Sequence, residues 1–240
     1  NAEASAAELR ASLTDLIGYI HTHYGEPVVV LIDEYDTPLI EARSKGYYNE
    51  MVDFLRSWLG EGLKRENSPA LFRAVVTGIL RVAKESLFSG LNNLATWSTL
   101  RSGPFADKFG FTQPEVDRLV RYFEVPELAG PIREWYNGYN FGKVTIYNPW
   151  SVLNAIDYHP NPLDAHWLNT ASNELVYEEL EAGGVALKRD LEKLLADEPL
   201  RYPVEEAMTF GDVGRNPQQV WSFLYFAGYL SAEKPKRDFT

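Results

Sequence analysis

Cysteine is absent from this chain of 240 residues. Disulfide bonds, thiolate chemistry and cysteine-ligated zinc are therefore excluded, and the composition agrees with a cytoplasmic protein. No apolar run approaches the roughly 20 residues of a membrane span, and the first residues have the pattern of an amphipathic helix instead of a signal peptide. Basic residues are also scarce: 23 Lys and Arg face 34 Asp and Glu, for a formal net charge of −11. This balance argues against a general nucleic-acid-binding surface.

The most informative stretch is a run of five apolar residues at 28–32, four of them β-branched. This run predicts a strand that is buried on both faces of a parallel sheet. Asp33 and Glu34 follow it directly, and Asp36 comes two residues later. Because open α/β sheets bind ligands at the carboxyl ends of their strands, these acids lie where a ligand site is expected.

An apolar strand that ends in two acids has the form of a Walker B segment. In that interpretation Asp33 holds Mg²⁺, usually through water, and Glu34 polarises the water that attacks a γ-phosphate. Magnesium prefers hard oxygen ligands and keeps most of its waters, so one or two carboxylates are enough. The alternative is a core strand followed by a solvated acidic turn, in which Pro38 breaks the chain. The pattern alone favours neither.

A second strand is predicted at residues 70–76, ending at Thr77. The amphipathic helix predicted at 48–63 is long enough for a parallel crossover, so Thr77 is expected beside Asp33. There it either senses a γ-phosphate and orients water or only caps the turn. Arg81, four residues further along, is a candidate phosphate contact, and its alternative role is a surface salt bridge.

The remaining chain is predicted to be mainly helical after a third strand at residues 94–100. The polar residues 101–110, with glycine and proline, suggest a boundary between a core of residues 1–103 and a second region of residues 104–240. Helix starts are indicated by two capping boxes and by one Asn-Pro pair, namely Ser5 with Glu8, Thr112 with Glu115, and Asn148-Pro149. Further helices are predicted at about 126–137, 172–182, 186–196 and 217–227. The aromatic residues between Trp135 and Trp150 are predicted to be core, since aromatics bury large areas.

One segment resembles a phosphate-binding P-loop only superficially. Residues 138–145 read GYNFGKVT, whereas a P-loop reads G-x-x-x-x-G-K-[ST]. The glycine spacing is one residue short, and Val144 stands where Ser or Thr contacts Mg²⁺. The segment also follows a predicted helix and enters a strand, so we reject it. No other segment of these 240 residues fits the pattern.

Six segments occur in a characteristic order: LIDEYDTPL, TGILRVAKESLFSGLNNL, FGFTQPEV, WYNGYNFG, IYNPWSVL and HWLNTASN. From about Val28 to Leu230, the chain resembles the bacterial AAA-ATPase-like family, P-loop proteins akin to archaeal-type and STAND-type ATPases. The resemblance implies an α/β fold, with a partial P-loop NTPase parallel sheet and flanking helices, followed by a mostly helical lid region. It also implies a Walker A loop N-terminal to this chain and, often, a restriction-like nuclease domain after it.

The resemblance also implies roles for individual residues. Asp33 and Glu34 match Walker B, Thr77 matches the sensor-1 position, and Arg81 is a candidate phosphate-facing arginine. Asn148-Pro149 lies where related ATPases place a lid proline near the adenine. The implied cofactor is Mg²⁺ with ATP, expected only together with the P-loop segment, so the 240 residues alone are expected to bind ATP weakly.

Three functions remain open from the sequence. The first is the Mg²⁺ and γ-phosphate half of an ATPase module, and the second is a degenerate ATPase core that acts as a protein-interaction or scaffold module. The third is a metal-dependent nuclease that uses Asp33, Glu34 and Asp36. This last reading is weakened because such nucleases add a nearby lysine, and Lys45 is distant in sequence. The expected partners are ATP and either another protein or a second copy of the chain, with no membrane and no indication of nucleic acid.

Overall fold

The computed structural model describes residues 4–64, 66–79, 87–88, 91, 94–101, 103–136, 138–165, 180, 184–206 and 217–232. The fold is mixed α/β. Its strands are β1 (Val28–Ile32), β2 (Leu71–Val76), β3 (Phe111–Thr112), β4 (Tyr139–Phe141) and β5 (Val144–Tyr147). Its helices are α1 (Ala6–Tyr24), α2 (Thr37–Ser44), α3 (Tyr48–Gly62), α4 (Gln113–Tyr122), a 3₁₀ turn (Pro126–Leu128), α5 (Ala129–Trp135), α6 (Pro149–Asp157), α7 (Gly184–Leu195) and α8 (Pro217–Phe226).

The chain divides into two compact units. The first contains the described residues within Asn1–Leu94 and Tyr177–Ala227, and the second those within Ala95–Val176 and Gly228–Thr240. The functional division into a core of residues 1–103 and a lid region of residues 104–240 stays a prediction. None of the helices in the described ranges is both long and apolar enough to cross a membrane.

The first unit is built on a parallel pair of strands. β1 pairs with β2 in a register that runs from Val28 opposite Leu71 to Ile32 opposite Val76. Helices α1 and α3 cover one face of this pair and form a common core with it, made of Leu13, Ile17, Val28, Leu59, Leu63, Leu71 and Leu91. Gly62 lets the two helices approach closely, because a Cβ at this position would collide with the side chain of Leu13.

The opposite face of the β1–β2 pair is open in the described part of the chain. Val28 is buried, but Val29 and Leu31 are 54% and 75% exposed. The expectation that β1 is buried on both faces is therefore wrong for the described residues. A run of five apolar residues has the same appearance whether one face or both faces of the strand are covered, and here α1 and α3 pack on the same side.

The predicted helix starts are confirmed. Ser5 and Thr112 each form a capping box, in which the backbone N–H of the cap donates to the carboxylate three residues later, over 2.7 Å to Glu8 and 2.8 Å to Glu115. These backbone hydrogen bonds, together with those from the cap hydroxyls, lower the pKa of both glutamates. Asn148 caps α6 by accepting a hydrogen bond from Ser151 N over 3.2 Å.

Two local predictions are wrong. Pro38 does not break the chain but occupies the first turn of α2, where a proline is tolerated because its missing N–H has no intrahelical acceptor. Residues 94–100 form no strand; instead, Ser98 N donates to Arg101 O and Arg101 N donates to Ser98 Oγ, which closes a turn. Of the helix predicted at 172–182, only residue 180 is described.

The second unit combines helices with an antiparallel sheet in the order β3-β5-β4. The strand expected after the P-loop-like segment is β5, whereas β3 and β4 were not part of the expected mostly helical region. Its β4–β5 hairpin contains Gly142 with a φ of 61° in the turn. The P-loop-like residues 138–145 thus lie in a hairpin, whereas a P-loop joins a strand to a helix.

The aromatic residues of the second unit are only partly core. Tyr136 and Tyr147 are buried, and their hydroxyls donate to Asp164 O and Gln113 Oε1. Trp135 and Trp150, in contrast, are more than half exposed, at 58% and 55%. The prediction of an aromatic core is therefore right for these tyrosines and wrong for these tryptophans. Neighbouring positions on a helix point in different directions, which composition alone does not reveal.

Candidate functional site

The parallel pairing brings the ends of β1 and β2 together. Thr77 N donates to Ile32 O over 2.9 Å, and Tyr35 N donates to Thr77 O over 3.0 Å. These two bonds extend the strand pairing past the last residues of both strands. The hydroxyl of Thr77 consequently reaches Asp33 and donates a hydrogen bond to its Oδ1. The expected proximity of Thr77 and Asp33 is present in the structure.

Asp33 is held through one of its two carboxylate oxygens. Oδ1 accepts hydrogen bonds from Thr77 Oγ1 and, over 3.0 Å, from Glu34 N. Within the described residues, no hydrogen bond engages Oδ2, and the residue is exposed. The rotamer of Asp33 is therefore fixed while one oxygen stays available for a ligand.

Glu34 has a different environment from its neighbour. Its φ of 51° is left-handed, an uncommon conformation for a residue with a side chain. Its Oε2 accepts a hydrogen bond from Thr37 Oγ1 over 3.3 Å, and its carbonyl accepts one from Thr37 N over 3.0 Å. Glu34 is thus tied to the start of α2, whereas Asp33 is tied to the end of β2. The two acids therefore differ in their hydrogen-bond partners.

Asp36 has a structural role that the sequence did not reveal. The side chain is 1% exposed, and its Oδ2 accepts a hydrogen bond from Ile79 N over 2.7 Å. Gly78 packs against it, because a Cβ at Gly78 would lie 2.6 Å from Tyr35 Cε1 and 2.8 Å from Asp36 Oδ1. Asp36 therefore links the turn after β1 to the turn after β2. An aspartate before Thr-Pro indicates a helix cap, but nothing in the sequence pointed to this partner across 43 residues.

Replacing Asp36 with Ala is expected to lower the free energy of unfolding by about 1–3 kcal/mol, since Ile79 N loses the acceptor that Asp36 Oδ2 provides. Asp36→Asn keeps an oxygen acceptor for Ile79 N and is expected to cost less. Urea denaturation of both variants measures the difference. Equal and small losses would show that the bond to Ile79 does not hold the two turns together.

The remaining predicted site residues lie elsewhere or are not described. Arg81 is outside the described residues. Asn148 and Pro149 belong to the second compact unit, where the side-chain oxygen of Asn148 accepts the hydrogen bond that caps α6. The structure brings together Asp33, Glu34 and Thr77.

The donor atoms at this edge suit Mg²⁺ in their chemistry. The Asp33 and Glu34 carboxylates and the Thr77 hydroxyl are hard oxygen donors, and both carboxylates are exposed. Among the described residues, no group of three or more His, Asp or Glu side chains is arranged to enclose a metal ion. The buried Asp36, pinned to Ile79, does not complete such a group. The described acids at this edge therefore do not form a three-carboxylate nuclease centre, because the third of them, Asp36, is buried.

Comparison with known proteins gave two matches. Residues 1–88 match a family described as AAA-ATPase-like, Predicted AAA-ATPase. The chain is also 31% identical over 235 residues to the "Uncharacterized protein in vnfD 5'region" of Azotobacter chroococcum mcd 1. That alignment covers 96% of this chain and 42% of the relative, so the chain spans about two fifths of the relative's length. No solved structure matches the chain.

The family match contains the first compact unit's acidic site. Asp33, Glu34 and Thr77 fall inside the matched residues, as does Arg81, whereas Asn148 falls outside. The Walker A loop and the nuclease domain implied by the resemblance stay predictions. Residues 1–88, with Asp33 and Thr77 joined at the ends of two parallel strands, are similar to a predicted AAA-ATPase domain.

Proposed function

We propose that this chain supplies the Mg²⁺-binding and water-polarising carboxylates of an AAA-ATPase-like module. The observation that carries the proposal is the hydrogen bond between Thr77 and Asp33 at the ends of two parallel strands, within residues that match a predicted AAA-ATPase. In open parallel sheets this edge is where ligands bind. We also propose that the whole chain, and not only residues 1–88, belongs to this family.

Asp33 would hold the metal through its second oxygen, by way of a water, while Thr77 and Glu34 N keep the first oxygen fixed. When bound, Mg²⁺ neutralises charge that develops on the transferred phosphate. Glu34 would accept a hydrogen bond from the attacking water and raise its nucleophilicity.

Thr77 has a restricted role in this arrangement. A hydroxyl carries one hydrogen, and Thr77 donates it to Asp33. Towards a water or a phosphate, Thr77 can therefore only accept a hydrogen bond unless its hydroxyl turns away from Asp33. Its first task is to position Asp33, and a contact with a phosphate oxygen requires that rotation.

The groups that bind the phosphates of ATP would come from sequence outside residues 1–240. The chain spans 42% of the relative's length, which leaves room for a phosphate-binding loop in proteins of this kind. A degenerate core that acts only as a scaffold would have no use for a metal at Asp33, so the two functions are separable by experiment.

The test is Asp33→Asn in a longer protein that joins residues 1–240 to a phosphate-binding loop. Isothermal titration of ATP with and without Mg²⁺ should show that the parent protein binds more tightly with the metal. We expect Asp33→Asn to weaken this Mg²⁺-dependent gain by about tenfold or more, because an amide is a poorer ligand than a carboxylate. Asp53→Asn makes the same change at an exposed residue paired with Arg56 and serves as the control. Unchanged Mg²⁺ dependence in Asp33→Asn would refute the proposal and favour the scaffold.

A further inference from the structure

Helix α1 carries more apolar surface than its core contacts use. Leu13 and Ile17 are buried against the sheet, but Leu9 and Leu16 are 44% and 52% exposed. Ile20 is exposed as well. Leu9, Leu16 and Ile20 are spaced by seven and four residues, so they form a stripe along one side of the helix. This stripe is an exposed apolar surface beside the buried face of the helix.

A groove lies between α1 and α3 and meets this stripe at Leu16. Its volume is about 410 Å³, and we call it the α1–α3 groove. It is lined by Leu13 and by Glu8, Ser12, Asp15, Leu16, Tyr19 and Trp58. A cavity of roughly 150 Å³ holds a benzene molecule, so the groove has room for about two large apolar side chains.

Two polar groups on the wall of the groove, those of Ser12 and Trp58, are already hydrogen-bonded. Trp58 Nε1 donates to Ser12 Oγ over 3.0 Å, and Ser12 Oγ in turn donates to Leu9 O over 2.7 Å. These bonds fix the Trp58 indole beside α1 and use its only donor. The wall therefore offers apolar surface and no free hydrogen-bonding group from Ser12 or Trp58 to a small polar ligand.

The rim of the groove is acidic. Glu8 and Asp15 are both exposed and seven residues apart, which places them on the same side of α1, about 10 Å apart along its axis. Hydrogen bonds from Ser5 lower the pKa of Glu8. Arg10 is two residues after Glu8, about 200° further around the helix, and so lies on another side. The groove is apolar inside and negative at its edge.

We propose that the α1–α3 groove binds an amphipathic helical segment of a partner protein, with large apolar residues that fill it and Lys or Arg residues that pair with Glu8 and Asp15. An apolar groove between two helices, here walled by Leu16, Tyr19 and Trp58, is a surface on which an amphipathic helix docks by residues three, four and seven apart. The acidic rim selects the sign of the partner's charge.

The charges also decide against two other occupants. A second copy docked by the same surface would bring Glu8 and Asp15 of both copies together, since a twofold interface uses one patch twice. An anionic membrane surface would be repelled by the same rim. A basic helix satisfies both the apolar groove and its charge.

Fluorescence polarisation tests the proposal with two labelled peptides of about 18 residues, long enough to form helix. Both carry leucine at positions three and four apart, and their remaining positions are Lys in one peptide and Glu in the other. We expect the Lys peptide to bind residues 1–240 saturably and at least tenfold more tightly than the Glu peptide. Leu16→Ala and the double change Glu8→Gln with Asp15→Asn should each weaken the Lys peptide by about tenfold. Glu8→Gln preserves the capping box, because glutamine also serves at that position.

Matched control variants distinguish binding in this groove from nonspecific electrostatic binding of a basic peptide to an acidic chain. Leu195→Ala removes an exposed leucine of α7, 88% accessible, and Asp53→Asn removes an exposed charge of α3. Both should leave the affinity unchanged. Equal affinity of the groove variants and the parent would overturn the proposal. So would a concentration-dependent dimer abolished by Leu16→Ala, or binding to phosphatidylserine vesicles abolished by the same change.

Discussion

Replacing Glu34 with Gln is expected to reduce ATP turnover by about 100-fold or more, while ATP still binds, in a protein that joins residues 1–240 to a phosphate-binding loop. Glutamine keeps the size of glutamate and can still accept the hydrogen bond from Thr37 that the structure shows at Oε2. The glutamine amide cannot accept a proton from the attacking water, and it polarises that water less than a carboxylate does. The change therefore removes the proposed base and leaves the turn before α2 intact.

Steady-state phosphate release and ATP titration together measure this effect. The control is Glu26→Gln, since Glu26 is exposed and precedes β1 at the opposite end from the acidic site. We expect that variant to hydrolyse ATP at the parent rate. Parent-like turnover in Glu34→Gln would mean that Asp33 and Glu34 form only a solvated turn, and the catalytic interpretation of this segment would fail.

Replacing Leu59 with Ala is expected to lower the free energy of unfolding by about 2–5 kcal/mol. Leu59 lies on α3 with 0% of its surface exposed, and it packs with Leu13 and Ile17 of α1 and with the strand residues of the same core. Truncation removes its contacts and leaves a cavity between α1, α3 and the sheet. These are the elements that hold the end of β1 in place.

Leu16→Ala is the matched control for this experiment. It makes the same side-chain change within a helix, but Leu16 is 52% exposed. We expect it to change the stability by no more than about 0.5 kcal/mol. Urea unfolding followed by circular dichroism compares the two. A loss in Leu59→Ala as small as that in Leu16→Ala would show that the α1–α3 core is not assembled as described.

Local sequence patterns predicted the elements around the candidate site. The β-branched run predicted β1, and the helix of suitable length after it predicted a parallel partner strand. The structure contains this partner as β2. Together they placed Thr77 beside Asp33. The capping boxes at Ser5 and Thr112 predicted the starts of α1 and α4, because a cap is a local interaction within four residues.

Features that depend on distant residues could not be predicted in this way. The exposure of Leu31 depends on which face of the sheet the helices cover, and the sequence of the strand does not indicate this face. Asp36 has the local appearance of a helix cap, yet its side chain bonds to Ile79. Residues 94–100 have strand-like composition but form no strand, and their Thr99 O accepts a hydrogen bond from Gly142 N, in the β4–β5 turn, over 2.9 Å. In each case a contact outside the local window decides the structure.

The open face of the β1–β2 pair has a consequence for colloidal behaviour. β1 carries no charge, and Val29, Leu31, Phe72 and Val75 are exposed on the two strands. Exposed apolar strands are templates for stacking and fibril-like association, and proteins counter this with charges placed among them. Arg73 is the charged residue of β2; it lies opposite Val29 with its guanidinium 5.3 Å from the centre of the Phe72 ring. We therefore expect Arg73 to act as a gatekeeper on this face, keeping the exposed apolar residues of neighbouring molecules apart.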